Sequence, residues 1–306
     1  MSQYFDNKDL FLSPNTKQYG SHMVMTNVHK ETKRKYVNID TRFRDDYSES
    51  QLANYIITLP ERITDAKSIY ITNVEIPNVL YNVSAVQKNS SLVLTNINNS
   101  NKYVITVPDG RYKTITELHS ELNVKLLFIT GDSNIRISLD SSNKSKFTST
   151  TNTYAINFAV DASGNVDKSL LKSKLGWILG FRKINYTVNN TTTIIAEALP
   201  DVFGSKYLYL AIDEFSNGNQ RSFISPLPNS FINKNIAARV SIDSIAFGFN
   251  NLITANRANG AMVSDKREYT GKIDLQKLNV QILDEYGNPI SLNGLDFSFC
   301  MEVEHE

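Results

Sequence analysis

Twelve short segments of strand character recur between Tyr36 and Val303, and that recurrence leaves few folds open to the chain. Alternating or β-branched residues mark 36–40, 54–59, 67–76, 91–96, 102–107, 134–139 and 154–160. They continue at 192–196, 206–212, 236–242, 275–283 and 296–303. Only two segments have helical spacing. Thr114-Ile-Thr-Glu117 has the form of a capping box, with Leu118, Leu122 and Leu126 following at one-turn intervals. The second is the amphipathic run 168–175. The pattern predicts a mainly β sandwich with a helical insertion, not a βαβ sheet.

Local detail sharpens this. Within 67–76 the apolar face changes midway, as in a bulged or sheet-switching strand. Asp109-Gly110 and Tyr286-Gly-Asn-Pro289 read as turns in which Gly takes positive φ. The tracts 96–101 and 141–153 read as loops, and 221–228 and 258–266 as long non-periodic loops available for contact. Leu175-Gly-Trp-Ile-Leu-Gly-Phe-Arg182 holds the only tryptophan. It predicts a buried indole where a helix ends, with Gly176 or Gly180 supplying a positive-φ stop.

Residues 1–35 have no sustained period. They read as an extended arm, with anchors Tyr4, Phe5, Leu10, Phe11 and Leu12, that orders on a partner. The arm ends in a basic run, His29 to Lys35, which is either a solvated face or a contact for nucleic acid or lipid headgroups. Overall charge is balanced, 32 Lys+Arg against 31 Asp+Glu, which argues against a global polyanionic partner. A single cysteine, Cys300, excludes an internal disulfide framework and suggests a reducing compartment. With no apolar run of spanning length and no apolar leader, the expectation is a cytosolic product.

Residues for chemistry are sparse. His22, His29, His119 and His305 are scattered, three of the four lying in the arm, in the tail or on the exposed side of a helix. No pair has ligand spacing, and no cofactor or metal is expected. Cys300 reads as a small buried hydrophobe. Acids cluster at Asp40/Asp45/Asp46, Asp213/Glu214 and Asp284/Glu285. Paired acids serve in glycoside hydrolysis or calcium binding, but each group sits at a strand end, where acids cap turns. Asp40-Thr-Arg-Phe-Arg44 reads as an Asp–Arg latch holding the first strand against a neighbouring chain or loop. Without a nucleophile, P-loop or dinucleotide motif, no enzyme is expected.

Several phrases, in order, resemble a known family. They are Val37-Asn-Ile-Asp-Thr-Arg-Phe-Arg44, Asn54-Tyr-Ile-Ile-Thr-Leu-Pro60, Ile69-Tyr-Ile-Thr-Asn-Val-Glu-Ile-Pro77 and Ile105-Thr-Val-Pro-Asp-Gly-Arg-Tyr112. The tryptophan segment follows, then Tyr207-Leu-Tyr-Leu-Ala-Ile-Asp-Glu-Phe215, Leu278-Asn-Val-Gln-Ile-Leu-Asp-Glu-Tyr-Gly287 and Leu295-Asp-Phe-Ser-Phe299. Together, from about Tyr36 onward, they resemble the minor capsid proteins of large nucleocytoplasmic DNA viruses, the mimivirus and phycodnavirus-like groups.

The resemblance implies a virion structural protein assembled in the host cytoplasm, with the major capsid protein and other minor capsid proteins as partners. It implies a jelly-roll type antiparallel sandwich over 36–306; a double roll needs about sixteen strands against the twelve counted, so a single roll with an inserted α+β excursion at about 108–190 is expected. A degenerate double jelly roll is the alternative, and one core shared by 36–76 and 275–303 would favour the single roll. The candidate structural and interface residues are Trp177, Phe181, Arg182, Arg42 and Arg44. Lys33, Arg34 and Lys35 join them as the basic end of the arm, available to an inner membrane or DNA. Tyr47, Tyr81 and Tyr269 are candidate interface tyrosines. A virion-surface glycan- or receptor-binding module is the second reading, and it predicts an aromatic-lined pocket with convergent polar groups instead of a broad contact surface. A polysaccharide-cleaving enzyme is the third, and it requires two facing carboxylates in a groove.

Overall fold

One strand of 24 residues, Asn54–Pro77 (β4), organises the molecule. The computed structural model describes residues 31–46, 52–215, 235–243 and 245–306, with the backbone of a small antiparallel pair, Lys17–Tyr19 (β1) and Met23–Met25 (β2). The 221–228 loop and Tyr47 lie outside the described residues. Fully extended, β4 would span roughly 80 Å, so it must bend to stay within one fold. It does so through changes of register. Against Arg267–Leu283 (β16) the ladder shifts between Glu268 and Lys277, and Pro60 falls inside this irregular stretch, where no ladder donor is required of it. Against Ser298–His305 (β17) it shifts between Cys300 and Met301. That bulge is where the predicted change of face occurs: Ile69 and Ile71 are buried before it, Val74 and Ile76 after it.

Lys33–Asp40 (β3) flanks β17, and Leu252–Asn256 (β14) pairs with the end of β4. Tyr207–Asp213 (β12), Ile236–Ser241 (β13) and Met262–Ser264 (β15) complete a curled antiparallel sheet in the order β15-β13-β12-β16-β4-β17-β3. Its inner face closes on one core holding Ile39, Ile57, Ile71, Leu210, Val280, Phe299 and Met301. The segments 36–76 and 275–303 thus share a core, the outcome expected of a single roll, and the fold is mainly β and jelly-roll-like.

Between β4 and β12 lies a second unit with its own core. Ser91–Asn96 (β5), Lys102–Thr106 (β6), Tyr154–Asn157 (β9) and Asn185–Val188 (β10) form one small sheet. Arg136–Leu139 (β7), Ser145–Thr148 (β8) and Ile194–Ile195 (β11) form another. Helix α1, Ile115–Thr130, packs on this unit through Leu118, Leu122 and Leu126, all fully buried. Thr114 caps its first turn by accepting from the Glu117 amide, and Gly131, at φ 68°, ends it.

The insertion therefore runs from about residue 78 to 206, wider than 108–190, because β5 and β6 feed the second core and not the roll. The expected helix at 168–175 is instead a 3₁₀ turn, Leu171–Ser173, followed by the single-turn helix Leu175–Ile178 (α2). The expected loops 141–153 and 258–266 contain β8 and β15. Gly287 takes positive φ, whereas Gly110 is not among the positive-φ glycines.

Candidate functional site: the tryptophan segment and the cleft between two cores

The tryptophan segment is anchored from both ends. Lys174, which is 1% exposed, donates to the Asp167 carboxylate at 2.7 Å and to the Val160 carbonyl at 3.4 Å. The ammonium holds the Asp167 carboxyl far below its ordinary range. Leu175, Leu179 and Phe181 enter the second core, where Phe181 meets Phe158 at 5.2 Å, Phe147 at 5.6 Å and Tyr186 at 5.1 Å between ring centres. Gly176 presses on Phe158: a Cβ there would lie 2.5 Å from the ring. Gly180, at φ 93°, is the positive-φ stop, and a Cβ would lie 2.3 Å from the Ala198 carbonyl oxygen.

Trp177 itself is only half-buried, against the expectation of full burial. Leu175 and Leu179 are one turn apart and share the buried face, so the residue between them falls on another side. Its ring is covered by the Arg182 guanidinium at 3.9 Å, whose Nη1 also donates to the Trp177 carbonyl at 3.0 Å.

Trp177 lines a cleft of about 760 Å³ between the roll and the inserted unit. From the insertion come Gln87, Leu170, Lys172 and Trp177, and from the roll Asp284, Glu285, Tyr286 and Asn288. The irregular segment leading into β12 adds Asp201, Ser205 and Lys206. Four hydrogen bonds hold the walls in place. The Tyr286 hydroxyl donates to the Lys172 carbonyl at 3.3 Å, the Lys206 amide donates to Glu285 at 3.4 Å, and the Asn82 side-chain amide donates to the carbonyls of Tyr112 and Val202 at 2.8 and 2.5 Å. Burial raises the carboxyls of Asp284 and Glu285 and pushes the Tyr286 hydroxyl up to about 12. Asp284 is committed to its turn, accepting from the amides of Tyr286 at 2.9 Å and Asn288 at 2.8 Å.

The remaining candidates sit elsewhere. Arg42 donates through Nε to both oxygens of Asp40, each at 3.0 Å, which is the predicted latch closed within the strand exit. Arg44 pairs with Asp296, donates to the Thr41 carbonyl at 2.9 Å and lies 4.3 Å over the Tyr55 ring. It therefore fixes β3 against the loop entering β17 of its own chain. The arm boundary at residue 35 is also corrected. Lys33, Arg34 and Lys35 belong to β3, where Arg34 meets Glu302 at 3.3 Å and Glu304 at 3.5 Å, and Lys35 meets Glu61 at 2.7 Å. Acids of neighbouring strands thus take two of the charges assigned to a polyanion.

Glu214 is buried with Arg267 at 2.7 Å and with the Tyr269 hydroxyl at 2.8 Å, so Tyr269 serves the core and not an interface. Tyr81 is half-buried beside Phe249, 6.4 Å between ring centres. Cys300 is half-buried, on the face opposite Phe299. His119 is buried rather than exposed, 3.1 Å from the Ser145 hydroxyl, and desolvation lowers it to about 4. Among the described residues no three His, Cys, Asp or Glu side chains are grouped to hold a metal ion. No helix among them is long and apolar enough to cross a membrane.

Lys172, Ser205, Glu285 and Tyr286 belong to the cleft but have no shared sequence signal. The turn 286–289 is readable, yet nothing in the spacing joins it to residue 172.

No family model matches the chain, and no curated protein matches its sequence. Among solved structures it is similar to the crystal structure of the selenomethionine-labelled mavirus penton protein. The identity is 10% and the TM-score 0.42, over 90% of this chain and 100% of that one.

Proposed function

We propose that the chain is a structural virion protein, a minor capsid component that contacts major capsid capsomers and other minor capsid proteins and is assembled in the host cytoplasm. The observation that carries this reading is where the family-resembling phrases fall. Val37 to Arg44 lies on β3 and its exit, and the phrases at 54–60 and 69–77 lie on the two halves of β4. Those at 278–287 and 295–299 lie on the end of β16 and the start of β17. Phrases separated by more than 200 residues are thus neighbours in one sheet and share one core. The tryptophan phrase supports the second core.

The role proposed is non-catalytic. Glu214 is spent on a buried ion pair, Asp284 on a turn and Asp40 on a latch. Contact surface is available along β3, which pairs with β17 alone among the described strands and exposes Tyr36, with Phe43 exposed on the turn that follows it. An open strand edge with exposed aromatics is a natural place for a neighbouring subunit. The test is mass spectrometry of purified particles, followed by location of the chain in a reconstruction of the intact shell. The expected result is a stoichiometric component in contact with capsomers; absence from purified particles overturns the reading.

A further inference from the structure

We infer that the cleft between the two cores is a binding site for a neutral saccharide. This goes beyond the structural role and does not rest on it. At about 760 Å³ the cleft falls within the range of small-molecule sites, roughly 300–1,000 Å³. Its lining combines three aromatic side chains, Trp177, Tyr81 and Tyr286, with side chains that both donate and accept. The face of an aromatic ring is electron-rich and the C–H face of a pyranose is weakly positive, so the two stack; Arg182 already covers one face of Trp177, so the stacking falls chiefly to Tyr81 and Tyr286. Vicinal hydroxyls donate and accept together, which matches Glu285 and Asp201 as acceptors, Lys172 as donor, and Gln87 and Ser205 as both.

Charge selects the class. Lys88, Lys172, Lys174 and Lys206 line the cleft with Asp201, Asp284 and Glu285, and Lys174 is already held by Asp167 at 2.7 Å. The wall is balanced, which disfavours nucleic acid and sulfated glycans and suits an uncharged polyol. The site is also built to hold its shape. The Tyr286–Lys172 hydrogen bond fixes the gap, and Leu170, a non-glycine residue at φ 43°, keeps a strained backbone on the wall. Such strain concentrates at ligand clamps.

The chain supplies its own reporter, because its only tryptophan lines the cleft. The full chain is titrated with chitotriose, cellotriose, mannotriose and maltotriose, with sialyllactose and a heparin tetrasaccharide as charged comparators. Binding is read by tryptophan emission and by saturation-transfer NMR. At least one neutral trisaccharide is expected to give a saturable change. Ser205→Phe, which places a ring in the cleft where the sugar would lie, should abolish it, and Glu285→Ala should weaken it about tenfold or more, the worth of one charge-assisted hydrogen bond. Unchanged thermal midpoints in both variants would exclude unfolding as the cause. No saturable signal in either readout at millimolar sugar overturns the inference. So does binding that survives Ser205→Phe, or binding of the charged comparators alone.

Discussion

The guanidinium of Arg182 lies 3.9 Å over the ring of Trp177 and its Nη1 donates to the carbonyl of that same residue. One side chain thus closes the helix end and covers the indole. Arg182→Ala is expected to cost about 1–2 kcal/mol, the stacking plus one carbonyl hydrogen bond. It should also shift the single-tryptophan emission to the red. Arg182→Lys should restore neither, because an ammonium lacks the planar face. Since Trp177 is half-buried, Trp177→Ala should cost less than a core aromatic truncation, about 1–2 kcal/mol against the usual 3–5. Urea denaturation followed by circular dichroism checks both. A loss at Trp177 as large as that of Phe181→Ala would show that the indole is core after all.

The two glycines of the same segment are expected to differ in how they fail. Gly180→Ala meets the Ala198 carbonyl at 2.3 Å and asks an L-residue to hold φ 93°, so it should cost about 3 kcal/mol or more. Gly176→Ala meets the fully buried Phe158 ring, and should cost about 1–3 kcal/mol as overpacking. Pairing it with Phe158→Leu should recover part of that loss, whereas no side-chain change near Gly180 should rescue Gly180→Ala. The readout is the urea midpoint of each single and double variant.

Much of the frame is legible in the sequence, because alternation of apolar residues reports a strand directly. It identifies β3, β12 and β13 and even the bulge in β4, where Ile71 gives way to Val74. What alternation does not report is which core a strand feeds. Leu94 and Val280 sit in similar local patterns, yet one fills the core of the inserted unit and the other fills the roll. Short ladders such as Ser145–Thr148, with one apolar residue in Phe147, carry too little pattern to separate from a loop. The cleft is illegible for a different reason: Lys172 and Tyr286 are 114 residues apart, and only the tertiary fold brings them together.

Arg267 and Glu214 form a buried pair at 2.7 Å, with Arg267 2% exposed and its Nη2 donating to the Asn235 carbonyl at 2.7 Å. Removing one partner leaves a charge in the core, so Glu214→Ala should cost about 3–5 kcal/mol. The double variant Glu214→Leu, Arg267→Met should lose much less than the two single variants combined, because no charge is stranded. Tyr269→Phe removes one hydroxyl from the same carboxylate and should cost about 1 kcal/mol. A double-mutant cycle by chemical denaturation measures the coupling, and additive losses would rule out the pair as a unit.

His119 gives the fold a pH dependence of defined sign. Burial lowers it to about 4, against about 6.5 in the unfolded chain, so the unfolded state binds the extra proton between those values. Its contribution is complete above pH 6.5 and is lost as pH falls toward 4, with an upper bound of about 3 kcal/mol. The lowered carboxyls, Asp40 and Glu304 among them, act from the ordinary carboxylate range downward, and the raised Asp284 and Glu285 slope the opposite way above it, so the His119 contribution is read as the difference between parent and variant. His119→Gln keeps a side chain able to bond Ser145 but cannot gain the proton. Urea midpoints at pH 7.5, 6.5, 5.5 and 4.5 should fall across this interval in the parent, on the scale set by the shift itself. The fall should be smaller in the variant, by the His119 contribution. Parallel curves would show that His119 is solvated and that its burial does not set the acid limb of stability.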